Sequence, residues 1–170
     1  MKTKGNISIN LTSAEKGELR RRKLRIVDIL ELAVDELQVL LDVPFERARE
    51  IHALVEFQQV PSVGIRFAED LVFLGYYTLD ALKDKDGSKL VEAYETKKGY
   101  WIDPCVEDQF RLVVHYANHG NTNKKWWDFT EERKRYRLEH GYSSNRPKTP
   151  WHEVIEIKRK EKPATDLVQV

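Results

Sequence analysis

The chain has 170 residues, a mass of 20.0 kDa and one cysteine, Cys105, so it can bury a hydrophobic core of its own and cannot contain an internal disulfide framework. Its mean hydropathy of -0.61 and 34% charged residues exclude insertion in a membrane, and the polar start MKTKGNISINLTSAEKG lacks a secretory leader, so we expect a cytoplasmic protein. The net charge of +1 excludes a strong overall basic excess, so a polyanion would have to contact one of two local basic runs, within residues 20–25 or 124–137.

Helical spacing of apolar residues dominates the chain, so the sequence predicts an all-α protein. A first helix is expected to start at Thr12, because Thr12 and Glu15 fit a capping box. Asp35 is expected to cap a short second helix. Val43-Pro44 then leads into a third, FERAREIHALVEF. The buried stripe of this third helix is predicted to contain Ala48, Ile51, Leu54 and Val55.

Glycines and capping residues divide the middle of the chain into further helices. The turn VPSVG is followed by IRFAEDLVFLG, which Gly75 closes. Thr78 is expected to cap the helix TLDALKDK. A turn at residues 86–88 is expected to start LVEAYETKKG, which Gly99 closes.

The strongest helix signal follows Asp103, which precedes proline at the first helical position. Apolar residues then recur at helical spacing, so we expect this to be the core helix. Its apolar residues are Val106, Phe110, Val113, Val114 and Ala117. Farther on, Thr130 is expected to cap one more helix, ending near Gly141.

These patterns predict four parts of the chain: a flexible N-terminus (residues 1–11), a main helical domain (12–121), an aromatic and basic extension packed on it (122–154) and a mobile tail (155–170). The tail is charged, contains a proline and has no apolar periodicity. We therefore expect a compact helical bundle with a helical extension at its C-terminal side.

The turn VPSVG belongs to a longer pattern, which resembles the helix-hairpin-helix motif and implies a SAM-like bundle. Its matching positions are Phe57, Val60, Pro61, Ser62, Val63, Gly64, Ala68 and Leu71. We expect Val60 and Val63 to point into the core and Ala68 to let the two helices approach. Gly64 is expected to adopt a backbone geometry that other residues disfavour.

In the DNA-binding members of this motif, N–H groups at the start of the second helix bind a phosphate, as helix N-termini do well. Here Ser62 stands where the motif has its first glycine, and its hydroxyl would either donate to a phosphate or cap the second helix. Arg66 is placed for a further phosphate contact. The candidate nucleic-acid-binding residues are Ser62, Val63, Gly64, Ile65 and Arg66 in the hairpin, with Arg20, Arg21, Arg22, Lys23, Lys124 and Lys125 adding charge.

The segments LGYYTLDALKD, GYWIDPCVEDQFRLVVHYANH and KKWWDFTEERK resemble the bacterial pathogenicity-locus family, and the likeness extends over about residues 24–151. The resemblance implies a helix-hairpin-helix domain in which serine at the first hairpin glycine is usual. It implies no known reaction. We therefore expect neither an enzyme nor a cofactor.

The core helix carries residue types that bind metals or act as nucleophiles. His115 and His119 have a spacing that fits a shared metal, but Arg111 lies on the same stripe, so no metal site is expected. Cys105 shares a stripe with Leu112 and is expected to be a small buried thiol without a catalytic role.

The aromatic and basic residues of the extension have two interpretations. Together they suit stacking on single-stranded nucleic acid. Alternatively Trp127, Phe129 and Tyr136 clamp the extension onto the bundle and leave its lysines and arginines solvated, which we favour. A helix-turn-helix interpretation of DELQVLLDVPFERAREIHAL is weak, because Glu46 and Glu50 would face phosphate.

The sequence therefore predicts low-specificity binding of nucleic acid, double-stranded DNA in the first place, through the hairpin turn and flanking basic residues. The alternative partner is a protein, with the hairpin purely structural and the tail docking that partner. The motif favours the first hypothesis and the net charge of +1 favours the second. Neither hypothesis fixes an oligomeric state.

Overall fold

The computed structural model describes residues 7–120 and 123–161, and within this part the chain is helical and contains no β-strand. The all-α prediction is confirmed. The α-helices are α1 (Ser13–Arg21), α2 (Val34–Leu41), α3 (Phe45–Phe57), α4 (Ile65–Phe73), α5 (Gly87–Lys98), α6 (Pro104–His119), α7 (Thr130–His140) and α8 (Trp151–Glu161). Short 3-10 helices cover Ile26–Glu31, Asp80–Leu82 and Trp126–Phe129. None of the described helices is both long and apolar enough to cross a bilayer.

The start of α1 is fixed by the predicted capping box. The Glu15 N–H donates to Thr12 Oγ1 over 3.1 Å, and the Thr12 N–H donates to Glu15 Oε2 over 2.8 Å. The same carboxylate accepts from Arg47 Nε over 2.8 Å, although Glu15 is only 3% exposed. One buried carboxylate therefore both caps α1 and ties it to α3.

Glu15→Gln is expected to lower the free energy of unfolding at pH 7 by about 1.5–3 kcal/mol, because glutamine keeps the capping box but loses the charged bond to Arg47. The hydrogen bonds from Arg47 hold the pKa of Glu15 below its ordinary 4.5. The stability it contributes is therefore complete above that pH and is lost as pH falls through the lower folded-state pKa. Urea unfolding between pH 7 and pH 3 should show that the free energies of unfolding of wild type and variant converge in acid. A difference that stays constant with pH would contradict the role of the ion pair.

Helix α3 lies between two clusters of buried apolar side chains. Ala48, Ile51 and Val55 pack in an N-terminal cluster with α1 and α2. Leu54 and Phe57 pack in the main cluster with α4, α5 and α6. The predicted stripe of α3 is confirmed as buried, and the helix buries a second side as well because the chain packs on it from both directions.

Helix α6 is the centre of the main cluster, as predicted. Phe110 and Val113 are fully buried. The Phe110 ring lies 4.9 Å from that of Phe67 and 5.8 Å from that of Tyr94, both in tilted or edge-on contact. Asp103 caps the helix by accepting the Cys105 N–H over 2.8 Å. The α4 and α5 side chains therefore converge on α6.

Two predicted helix starts are wrong. Helix α2 begins one residue before Asp35, because the Ala33 N–H donates over 2.8 Å to the side chain of Glu36, which supplies the stabilising contact. Thr130 does not cap α7 but is its first residue. Its hydroxyl donates to the Asp108 carboxylate on α6 over 2.8 Å. At α2 a different side chain therefore stabilises the helix start, whereas the start of α7 has no side-chain cap and Thr130 bonds to another helix.

The predicted helix TLDALKDK is also wrong, since only Asp80–Leu82 forms a single 3-10 turn. Thr78 still accepts the Ala81 N–H over 3.2 Å. The turn ends where Lys83 becomes extended, and Asp84 beyond it has a positive φ of 57°. A left-handed residue there prevents an α-helix from continuing.

The ends of the described chain are more ordered than predicted. Leu11 is buried, and the amide of Gln58 bonds the backbone of Ser8 in both directions, so the packed domain begins before residue 12. At the other end, residues 155–161 of the predicted tail continue α8. The remainder of both predicted segments, residues 1–6 and 162–170, lies outside the described residues, as do residues 121–122.

Candidate nucleic-acid interface

Side chains of the turn between α3 and α4 pack into the main cluster. Val60 and Val63 have 0% and 1% of their surface exposed, so the prediction that they point into the core is confirmed. Ala68 is also fully buried, which lets α4 lie close to α3. The turn is therefore held in place between two packed helices.

The unusual backbone geometry of the turn lies at Ser62, not at Gly64. Ser62 has a left-handed φ of 63°, whereas Gly64 is extended, with φ -106° and ψ 179°. A Cβ added to Gly64 would meet nothing within 4 Å. The expectation for Gly64 is therefore wrong, and the residue with the disfavoured left-handed backbone is Ser62.

Ser62 joins the turn to the C-terminal extension. Its Oγ accepts the backbone N–H of Trp126 over 3.2 Å. It does not cap α4, so that alternative is wrong. A hydroxyl that accepts one bond keeps its own proton for donation. The contact also brings the chain at Lys124 and Lys125 beside the turn, and Lys124 is exposed.

The first turn of α4 offers N–H groups without a side-chain acceptor. Gly64 is the N-cap and provides no capping oxygen, and the first turn contains no acidic residue. Arg66 lies in this turn and is exposed. Positive partial charge from the helix dipole and a full positive charge therefore occur at the same place.

The other predicted basic run lies on a different part of the molecule. Arg20, Arg21, Arg22 and Lys23 are exposed at the end of α1, which packs in the N-terminal cluster. Arg21 pairs with Glu18 over 2.7 Å, and Arg22 lines a shallow groove with Asp35 and Glu36. Within the described residues, we find no bond between this run and the α3–α4 turn.

A groove of about 630 Å³ opens beside the start of α4. It lies between α4, the start of α6 and one face of α8. The α8 face begins at Trp151, whose N–H donates to the Trp101 carbonyl over 2.8 Å, while the Trp101 N–H donates to Thr149 over 2.9 Å. Arg146 strengthens this attachment through a 2.7 Å bond to the buried Glu95.

A protein-family model described as Cdd1, pathogenicity locus, matches residues 50–135, half of the chain. The chain belongs to this pathogenicity-locus family. It is also 32% identical over 74 residues to the mitomycin resistance protein McrB of Streptomyces lavendulae, a match that covers 44% of this chain and 70% of that protein. No solved structure matches the chain.

The family match includes the α3–α4 turn, α4 to α6 and the first residues of α7, and it ends before α8. Lys124 and Lys125 therefore lie inside the part shared with the pathogenicity-locus family. The α8 wall of the groove lies outside it. The turn is thus a feature of the matched region, and the groove is completed by a segment beyond that region.

Two arginines of the extension neutralise buried carboxylates, so the expectation that its cations are solvated is wrong for them. Arg133 Nε donates to Asp108 over 2.7 Å, and Asp108 is fully buried. Arg137 Nε donates to Glu107 over 2.9 Å, and both side chains are nearly buried. These arginines hold α7 against α6 and are not available to a polyanion.

The aromatic residues of the extension are divided between core and surface. Phe129 is 4% exposed within the main cluster, as predicted, and Tyr136 is half-buried. Trp127 is 53% exposed, so its expected clamping role is wrong, and Trp126 packs on the cluster instead. The exposed indole of Trp127 lies edge-on to that of Trp126, with 5.3 Å between the ring centroids, and offers a surface for stacking.

Cys105 and the histidines of α6 show no catalytic arrangement among the described residues. Cys105 is exposed, so its predicted burial is wrong; partial desolvation and the Asp103 carboxylate nevertheless raise the pKa of its thiol, which disfavours the reactive thiolate. The rings of His115 and His119 stack 4.3 Å apart. No group of three metal-binding side chains occurs in the described part of the chain.

Proposed function

We propose that the α3–α4 turn is a helix-hairpin-helix and that it binds nucleic acid with low specificity through phosphate contacts, with double-stranded DNA as the first candidate. The observation that carries the proposal is the first turn of α4, which has no side-chain cap, with Arg66 exposed in it and Lys124 and Lys125 beside it. Backbone N–H groups and flexible cations contact phosphates of any sequence, which accounts for the low specificity.

The charge of the molecule sets the expected strength of this binding. A net charge of +1 provides no long-range attraction, so affinity must come from a few local contacts. The burial of Arg133 and Arg137 in ion pairs reduces their number further. We therefore expect weak, salt-sensitive binding by a protein acting in the cytoplasm. Arg20, Arg21, Arg22 and Lys23 do not belong to this surface.

The test is fluorescence anisotropy of labelled duplex and single-stranded oligonucleotides across a salt series, with wild type and Arg66→Glu. We expect measurable binding at low salt, a fall in affinity on the order of tenfold in the variant, and a salt slope smaller by about one contact. Arg22→Glu is the matched control, because it makes the same charge change on an exposed arginine away from the turn.

Three results would overturn the proposal or part of it. If neither protein binds at low salt, the turn has only a structural role and the partner is to be sought among proteins. Equal losses in Arg66→Glu and Arg22→Glu would indicate diffuse charge attraction and not a phosphate site at the turn. Binding that does not depend on salt would contradict phosphate contacts altogether.

A further inference from the structure

The groove beside α4 has the dimensions of a ligand site. Its volume of about 630 Å³ falls within the roughly 300–1,000 Å³ typical of small-molecule sites in proteins. It begins at Gly64, the last residue of the proposed phosphate-binding turn, and at Ile65, the first residue of α4. A molecule bound to that turn would therefore lie at the edge of the groove.

The walls of the groove are shaped to contact a flat, largely apolar chemical group. Aliphatic side chains line it on both sides, among them Ile65 and Val106 on one and Val154 and Ile155 on the other. Tyr100 and Trp151 add two aromatic rings. Aromatic rings stack on nucleobases of every type, and such a contact contributes about 1–3 kcal/mol per base.

Polar groups from α4, the start of α6 and α8 line the groove, and they include Asp103, whose carboxylate caps α6. Arg66 lies at the start of α4 and Lys158 on the α8 wall, so two cations from different helices line the same space. Asp70 lies one turn farther along α4, about 6 Å in rise from Arg66, and accepts the Tyr94 hydroxyl over 2.6 Å. Gln109 provides an amide with both donor and acceptor groups. Burial raises the pKa of Asp70, because it disfavours the charged form of the carboxyl group.

Building on the proposed function, we propose that this groove holds one unpaired nucleotide of the bound nucleic acid. Its phosphate is bound by Arg66 and Lys158, and its base lies against Tyr100 and Trp151. Asp70 and Gln109 face the polar edge of the base. A base still stacked in a duplex cannot enter, so the protein prefers overhangs, frayed ends and single strands to fully paired DNA.

The test compares a blunt DNA duplex with the same duplex carrying a one-nucleotide overhang of the fluorescent base 2-aminopurine. We expect affinity on the order of tenfold higher for the overhang and quenching of 2-aminopurine emission on binding, from stacking on the groove's rings. Ile155→Trp, at a residue 41% exposed, should fill the groove and lower overhang affinity to that of the blunt duplex, leaving blunt-duplex affinity unchanged. Ile157→Trp is the control, since Ile157 is 54% exposed on the same helix outside the groove lining.

The outcomes separate this inference from the function on which it rests. Equal binding of both DNAs, or an overhang preference that Ile155→Trp does not remove, overturns the groove as a nucleotide site but leaves phosphate binding at the turn intact. An overhang preference without quenching places the unpaired base elsewhere and also overturns it. Binding of neither DNA overturns the proposed function and the inference together.

Discussion

Arg137→Met is expected to lower the free energy of unfolding by about 3–5 kcal/mol, the cost of removing one partner of a buried ion pair. Arg137 Nε donates to Glu107 over 2.9 Å, and its Nη1 donates to the Gly141 carbonyl over 2.9 Å. Glu107 is 2% exposed. After the substitution Arg111 still pairs with that carboxylate through a 2.9 Å bond, so the loss should lie toward the lower end of the range.

Urea denaturation of Arg137→Met, Glu107→Gln and the double variant measures this effect. Because the main cost is an unbalanced buried charge, Glu107→Gln should recover part of the loss, and the double variant should be less destabilised than the sum of the single variants. Lys134→Met is the control on the same helix, since its 2.8 Å pair with Glu131 is exposed and should contribute little. Additive single effects, or equal losses for Lys134 and Arg137, would contradict this account of the α6–α7 contact.

This ion pair could not be predicted from the sequence. The spacing of Glu107 and Arg111 fits a helical pair, but nothing local indicates that Arg137, 30 positions away, approaches the same carboxylate. From sequence, the arginines of α7 form part of a basic and aromatic segment and suit a polyanion. In the structure two of them balance buried acids, which removes them from the surface available to nucleic acid.

Two helix starts were predictable from signals that act within one turn. The capping box at Thr12 and the Asp103 cap before proline both form as expected, because each places its partner within three residues. Thr130 has the right residue type for a cap, but its hydroxyl bonds to Asp108 on another helix. A tertiary contact can therefore take a side chain of the right type away from the cap, as the Asp108 carboxylate does with Thr130.

In the candidate site, too, the features set by local sequence were predictable and those set by long-range contacts were not. The pattern around VPSVG identified the turn, the burial of Val60 and Val63, and Arg66 as a surface cation. The bond between Ser62 and Trp126 joins residues 64 positions apart, and no single sequence reveals it. The α8 wall had a readable signal: Trp151, Val154, Ile155 and Lys158 recur at helical spacing, but the intervening charges and the nearby proline outweighed it.

The approach of α5 to α6 depends on one glycine, and Gly87→Ala is expected to destabilise the protein by about 1–3 kcal/mol or more. A Cβ on Gly87 would lie 2.8 Å from Arg111 Cγ and 2.9 Å from its Cα and N. Two of these atoms belong to the backbone of α6, so they cannot move aside without shifting the helix that carries Glu107 and Asp108. Relief of this clash therefore strains the α6–α7 ion pairs as well.

Gly17→Ala is the matched control, because Gly17 lies inside α1 and a Cβ there would meet nothing within 4 Å. Alanine is the better helix former, so this variant should be more stable than wild type by roughly 0.5–1 kcal/mol. In urea unfolding, the change in free energy of unfolding should therefore have opposite signs for the two glycine-to-alanine variants. Stabilisation by Gly87→Ala would mean that α5 and α6 separate at little cost, and it would contradict the close contact on which the position of α6 depends.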